Sequence, residues 1–420
     1  MTLEELRKRL SDVDRDLIGL VAARQKIVAE IGAHKIQNSV PTRDYERERE
    51  VLKAAQDRAA ALGLEPEVAA GIMALLIRAS LTYQEQTRVA AQTSGAGKRV
   101  LIIGGAGKMG AWFGQFLASQ GFAVEIADTS VAPSVFPRVA DWRGGSLDYD
   151  LVIVATPMQA ANEVLIDLAA RKPRGVVVDI GSLKSPLKTG LRRLVEAGCK
   201  VTSIHPMFGP DTRLLSGRHV VFCDVGVPEA TRAARALFQS TMAEQHEMSI
   251  DDHDRLMAYV LGLSHALNLA FFTALAESGE LVPRLQKMSS TTFDAQLRVA
   301  SLVATDNPHL YFDIQTLNDY GAASLEALRA ATERIQHLVE TRDEAATILD
   351  KRPDSLDLLF VQAGSVWKNQ DLVLRQIFEI QIPVVDQIDR QMLFHTSAKC
   401  AQHIRQITLF DLARVAAIRS

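Results

Sequence analysis

Three groups of residues have the types and spacing to do chemistry. Gly105-x-Gly107-x-x-Gly110 follows the apolar run VLIIG and opens a helical pattern, the strand-turn-helix setting in which backbone N–H groups hold a pyrophosphate. Gly105 is expected to allow the tight turn, Gly107 to let the backbone approach the phosphates, and Gly110 to permit close helix packing, with Lys108 and Met109 inside the same loop. Asp128, eighteen residues past Gly110, is the acid expected at a ribose hydroxyl pair. Neither Thr129 nor Ser130 adds the cation a 2′-phosphate needs, which favours NAD over NADP. A second group lies after later strand-like runs: Thr156-Pro157, then Ser182 and Lys184 in DIGSLK, then His205 and Asp211 in HPMFGPD. Ligands of open α/β sheets bind beyond the carboxyl ends of strands, so these groups should converge beside the nicotinamide. An imidazole there is suited to taking a proton.

The third group is cationic. Leu3, Leu6, Leu10, Val13, Leu17, Leu20, Ile27 and Ile31 step by three and four along one helix, with Arg24 in the same seam. A charge on an apolar seam is costly without a partner, so Arg24 calls for an anion. Lys35, eleven residues on, points to the same side; Arg7, seventeen residues back, points away and suits a dimer in which it reaches into the neighbour's pocket. Asp44, Arg47 and Glu48 stand on a second helix, and Ser80 and Gln84 share one face of a third at i, i+4.

These groups require a multidomain chain, part α and part α/β. Residues 1–91 read as a three-helix domain, with helices over about Asp44 to Leu62 and from Pro66 to about Ala91 after the first. Three helices close only a shallow core, which favours dimerisation. QTSGAG at 92–97 is a linker. Residues 98–249 carry the runs VLIIG, FAVEIAD, DLVIVATP, GVVVDIGS, KVTSIHP and HVVFCD between helical patterns, the signature of a Rossmann-type, doubly wound parallel sheet. Helical periodicity resumes over 250–375, interrupted at Pro308, and a helical tail of unknown role follows over 376–420.

Composition narrows the partners. The 420 residues carry 47 Lys+Arg against 50 Asp+Glu, a net charge of −3, without the broad basic surface that nucleic acid or an anionic membrane would need. Cys199, Cys223 and Cys400 have no metal-like spacing, so a reduced cytoplasmic protein without a metal site is expected. MTLEELRKRL lacks the apolar stretch of a secretory signal, so the mature chain is expected to begin at Met1. The apolar run from Tyr259 to Ala276 contains His265 and Asn268 and reads as a buried or subunit-interface helix rather than a membrane span.

Over its first ninety or so residues the chain resembles the all-helical chorismate mutases: Arg7, Arg24, Lys35, Asp44, Arg47, Glu48, Ser80 and Gln84 stand where that family's active-site residues stand. The resemblance implies that Arg7 of a partner chain and Arg24 hold the carboxylates of chorismate, with Arg47 close by. Lys35 and Gln84 would bond the ether oxygen as its bond breaks, Glu48 and Ser80 would fix the ring hydroxyl, and Asp44 would orient neighbours. VDIGSLK and HPMFGPD, with the helical segment after residue 250, resemble the prephenate dehydrogenases. The chain as a whole is therefore similar to bifunctional chorismate mutase/prephenate dehydrogenases, homodimers with a C-terminal helical dimerisation domain. That implies His205 draws the proton from the ring hydroxyl of prephenate as hydride passes to NAD, Ser182 fixes hydroxyl and imidazole, Lys184 offers a cation, and Asp211 lines the pocket. His253-Asp254 and His265 match family positions lining the site or the interface. The chain departs from the family at Leu302, where an arginine grips the ring carboxylate; Arg298, one turn earlier, is the substitute expected. This departure leaves two alternatives open: arogenate or an amino analogue as substrate, or a second half that senses ligand without turning it over.

Overall fold

The computed structural model describes residues 1–305 and 307–341. It opens with α1 (Leu3–Gln37), α2 (Tyr45–Ala61) and α3 (Pro66–Ala91). Each start has a local cause. Thr2 and Glu5 exchange side-chain and backbone bonds as a capping box on α1, Asp44 accepts the Arg47 amide to cap α2, and Pro66 takes the first position of α3. The apolar stripe of α1 lies in water over its first half, with Leu10 62% and Leu20 69% exposed. An exposed apolar row of this length is a surface for another chain to cover.

Past the linker the chain forms β1 (Arg99–Ile103), α4 (Lys108–Ser119), β2 (Ala123–Ala127), β3 (Leu151–Val154), α5 (Met158–Arg171), β4 (Val176–Asp179), α6 (Lys188–Glu196), β5 (Val201–Pro206), β6 (His219–Asp224), α7 (Pro228–Ala236) and β7 (Glu244–Ser249). The strands make one sheet in the order β2-β1-β3-β4-β5-β6-β7. Helices cover both faces, which is why Val100 to Ile103, Val152 to Val154 and Val177 to Asp179 are all buried. The strand order turns at β1, and the glycine loop leaves the sheet there, at the crevice where doubly wound folds bind ligands.

Two features correct the sequence-based expectation of an all-parallel sheet. β6 runs antiparallel to β5, with His205 opposite Val221, because the loop over 207–218 returns the chain directly without a crossover helix. β7 is a further strand, parallel to β6, with the polar sequence EQHEMS at the sheet edge. An exposed edge strand needs no apolar alternation, so periodicity did not mark it.

Ser249 caps the next helix by accepting the Asp252 amide. The helical region comprises α8 (Ile250–Met257), a π-helical turn over Ala258–Leu263, α9 (Ser264–Glu277), α10 (Val282–Lys287), α11 (Thr291–Thr305), α12 (Pro308–Thr316) and α13 (Gly321–Thr341). It docks on the carboxyl ends of the strands through a cluster of Met158, Leu183, Met257 and Ile314. Gln159 donates to Asp313 Oδ1 at 2.7 Å, and Asn318 to the Asp254 carbonyl at 2.9 Å. Ile250–Glu277 is long and apolar enough by length and composition to cross a membrane, and 22% of its apolar window is buried within the chain. The predicted helix beyond residue 341 and the tail over 376–420 lie outside the described residues.

Candidate active sites

The first site lies between α1 and α3. Arg24 Nη1 donates to Ser80 Oγ at 2.6 Å and to the Leu76 carbonyl at 3.2 Å, while the Ser80 hydroxyl donates to that same carbonyl. These bonds engage one edge of a guanidinium that has five donors and leave its other N–H groups for an anion. One turn along α3, Gln84 is 8% exposed and its Oε1 has no hydrogen-bond partner. A buried amide whose oxygen has no donor is free to turn and present its NH2 to a ligand acceptor. Gly32 creates its space, because a Cβ there would stand 3.2 Å from Gln84 Cγ. Lys35 Nζ donates to the Thr42 carbonyl at 2.7 Å.

On α2 the outcome differs from the sequence-based expectation. Glu48 is buried and held by both sides of an arginine fork, but the fork belongs to Arg43, at 2.9 and 3.0 Å. Arg47 instead turns outward to Glu50 at 2.8 Å with its side chain 69% exposed, and Asp44 is spent as the cap of α2. Arg43 carried no helical-face signal because it precedes the helix. Arg7 is exposed on the free half of α1, seventeen residues and so about 25 Å of helix before Arg24.

The second site begins at the glycine loop. The tight turn lies at Gly104, with φ +87°, rather than at Gly105, whose Cβ would instead strike Ile126 at 2.5 Å. A Cβ at Gly110 would meet the Gly104 carbonyl at 2.2 Å, so α4 lies directly on the loop. Gly107 caps α4, Lys108 opens it at the surface, and Met109 packs inward. Asp128 accepts the Ala106 amide at 2.9 Å and the Ser130 amide at 2.8 Å, tying the end of β2 to the glycine loop. Beyond β3, Thr156 Oγ1 is buried without a partner beside Pro157, the cap of α5. A pre-shaped backbone cradle, an acid and an orphaned hydroxyl fit a dinucleotide. Arg138, unmarked by the sequence, folds back over the Asp128, Ser130 and Ala132 carbonyls.

His205 is buried at the end of β5, and its Nδ1 lies 2.9 Å from His253 Nε2; His253 Nδ1 lies 2.7 Å from Asp254 Oδ1. The tautomers follow from the carboxylate. Asp254 accepts from His253 Nδ1, so His253 Nε2 accepts from His205 Nδ1, leaving His205 Nε2 with a free lone pair. Burial, with His253 and Lys184 beside it, holds His205 well below the usual imidazole range, so the ring is neutral. Burial also lowers His253, against the pull of Asp254. Burial alone would raise Asp254, but bonds from His253, Ser185 and the Lys184 and Ser185 amides outweigh it and keep the carboxylate charged. In the sequence His253-Asp254 was marked as matching family positions lining the site or the interface, but nothing there joined the pair to His205.

Lys184 is the clearest correction. It is 0% exposed, and its ammonium bonds Asp179 Oδ1 at 2.9 Å and the Ile204 carbonyl at 2.7 Å. It braces β4 against β5 beneath His205 and presents no cation to a substrate. Lys184→Met is expected to leave the Asp179 carboxylate buried and unpaired and to cost about 3–5 kcal/mol, measured by denaturant unfolding. Ser182 is half-buried at the same strand ends and has no side-chain bond to His205, and Asp211 is exposed in the 207–218 loop. Arg298 is exposed on α11, whose main packing is against α9, and no hydrogen bond joins it to the His205 cluster among the described residues; Leu302 is 72% exposed on the same helix. His265 stacks edge-on against Tyr311. Among the described residues, His219, Glu244 and His246 are one group whose ligand atoms could hold a metal ion. All three are exposed, and the 3.1 Å between the imidazoles is a hydrogen-bond distance, so a cross-strand polar patch accounts for them.

Three family models match successive parts of the chain. Residues 6–85 match the family model for chorismate mutase type II, 135–244 the nucleotide-binding domain of prephenate dehydrogenase, and 249–350 the prephenate dehydrogenase dimerization domain. The T-protein of Enterobacter agglomerans is 28% identical over 347 residues, 82% of this chain and 90% of its own length. The 4-amino-4-deoxyprephenate dehydrogenase of Streptomyces pristinaespiralis is 31% identical over 257 residues, 59% of this chain and 86% of its own. Among solved structures, Synechocystis arogenate dehydrogenase superposes with a TM-score of 0.49 at 17% identity, covering 65% of this chain and 99% of that one. Aquifex aeolicus prephenate dehydrogenase, in complex with hydroxyphenyl propionate and NAD+, gives 0.47 at 18%, covering 64% and 98%.

Proposed function

The chain belongs to the bifunctional chorismate mutase/prephenate dehydrogenases, and on that premise we propose how its residues divide the work of rearranging chorismate to prephenate and then oxidising prephenate to 4-hydroxyphenylpyruvate. The observation that carries the second step is the hydrogen-bonded series Asp254–His253–His205, which leaves a neutral, oriented Nε2 at the carboxyl ends of the strands.

At the first site the rearrangement is pericyclic and needs placement and charge, not a nucleophile. Arg24, fixed by Ser80, holds a carboxylate of chorismate. Gln84 and Lys35 turn donors to the ether oxygen as charge develops on it, and Glu48, locked by Arg43, takes the ring hydroxyl. Arg7 of a second copy closes the pocket over the exposed half of α1. A homodimer would cover both that stripe and the exposed apolar faces of α9 and α11. We read the chain as a soluble cytoplasmic enzyme that acts on small molecules.

At the second site the glycine loop, Asp128 and Thr156 would hold the cofactor, which when bound accepts the hydride. His205 Nε2 accepts the proton of the ring hydroxyl as hydride leaves the same carbon, and the ring carboxylate departs as carbon dioxide, making the ring aromatic. Ser182 would turn toward that hydroxyl. Asp128 favours NAD, because its carboxylate would repel a 2′-phosphate. Asp128→Ser should therefore raise the KM for NAD about tenfold and gain activity with NADP, with Arg138 as the neighbouring cation. Equal use of both cofactors by the wild type would contradict this assignment.

A second substrate has a specific observation behind it. The Streptomyces relative is named for 4-amino-4-deoxyprephenate, and no arginine stands at Leu302. The test is steady-state turnover of prephenate, arogenate and 4-amino-4-deoxyprephenate in parallel. Preference for prephenate supports the assignment, and preference for an amino substrate replaces it.

A further inference from the structure

Gln84 and Glu85 are neighbours on α3 that face different ways, since successive helical residues lie about 100° apart. Gln84 lines the mutase pocket. Glu85, only 3% exposed, points out of the mutase domain into the α/β domain, where it accepts the Leu215 amide at 2.7 Å and the Met242 amide at 2.5 Å. Leu215 belongs to the 207–218 loop, which leaves β5 directly after His205-Pro206 and contains Asp211. The same loop is gripped twice more. Arg43, the partner of Glu48, donates to Ser216 Oγ at 2.7 Å. On the cofactor side, Trp112 of α4 donates to the Thr212 carbonyl at 2.9 Å and packs on Phe208. The loop beside the dehydrogenase base is thus held between the cofactor helix and two mutase-domain side chains.

A buried carboxylate is retained at a cost unless its acceptors are filled. Burial pushes Glu85 up, and the two amides oppose that. Its two oxygens take two amides from separate segments of the other domain, so it ties the loop to the turn before β7 at one point.

We propose that Glu85 is a positioning residue of the dehydrogenase half, through which the mutase domain holds the 207–218 loop in place for prephenate. This rests on the assignment of prephenate oxidation to the His205 site. The dehydrogenase half would then work at full affinity only while docked on the mutase helix.

The test uses the full chain. Glu85→Ala should raise the KM for supplied prephenate about tenfold with kcat within about twofold, as loss of bonds to a charged acceptor would. Glu85→Gln, which keeps the shape but presents an NH2 to one of the two amides, should fall between. Mutase kcat/KM should stay within about twofold of wild type, because Glu85 faces away from that pocket. Hydrogen exchange gives a readout independent of activity: the Leu215 and Met242 amides should exchange faster in both variants, and Trp112 emission should shift. An unchanged KM for prephenate in a folded variant overturns the proposal, as does an equal loss of both activities with a fall in melting temperature. A wild type inactive on prephenate would count against the assigned function alone, and faster Leu215 exchange in the variant would still support the tie.

Discussion

His205→Asn is expected to lower NADH formation from prephenate about a thousandfold while chorismate is still consumed at the wild-type rate. The asparagine keeps a polar group of similar reach at the end of β5, so the sheet should survive. What it lacks is a basic nitrogen. In the wild type, Asp254 sets the tautomer of His253, which sets that of His205, and burial keeps the ring neutral. The proton acceptor is therefore ready without first losing a proton of its own. An amide cannot take a proton from an alcohol, and the hydroxyl oxygen would carry positive charge as hydride left. The check is kcat and KM with supplied prephenate, with the mutase assayed on the same sample. A variant that retains more than about a tenth of wild-type kcat would mean that His205 is not the base.

Arg24→Ala is expected to do the reverse, lowering mutase kcat/KM by about 10²–10³-fold and leaving the oxidation of supplied prephenate intact. Arg24 is held from beneath by Ser80 and the Leu76 carbonyl, so its remaining donors are preorganised for a carboxylate. Removing it also strips Ser80 of a donor. Because the side chain is half-buried at the edge of a helix that another copy is expected to cover, circular dichroism and sedimentation would be measured alongside. If both activities fell together in a folded dimer, the division into two sites would be wrong.

How much of this was legible in the sequence depended on what each residue type says locally. The glycine loop announces itself because its backbone conformation excludes side chains, although the turn itself fell one residue earlier, at Gly104. Arg24 was visible as a charge in an apolar seam, a local conflict with no structural reason to exist. Lys184 was not legible in the same way. Its motif fixes it beside the site in sequence, but whether a lysine at a strand end points to a ligand or into an ion pair with Asp179 depends on which strands are neighbours, which only the topology settles. The pairing of Arg43 with Glu48 is hidden for a related reason, since a residue before the helix start has no fixed angle around the axis. β7 escaped because an edge strand lacks the apolar alternation of a half-buried one, and the antiparallel direction of β6 escaped because an apolar run marks a strand without telling which way it runs beside its neighbour. The contacts of Glu85 could not be read from periodicity at all, because they join α3 to segments more than a hundred residues away.

The most direct test of the two-step account is to give the purified wild-type chain chorismate and NAD, with no prephenate added, and follow absorbance and products together. Prephenate should appear first, NADH should rise after a lag, and 4-hydroxyphenylpyruvate should accumulate in step with NADH. Consumption of chorismate to prephenate with no NADH, then or after prephenate is added, would contradict the account.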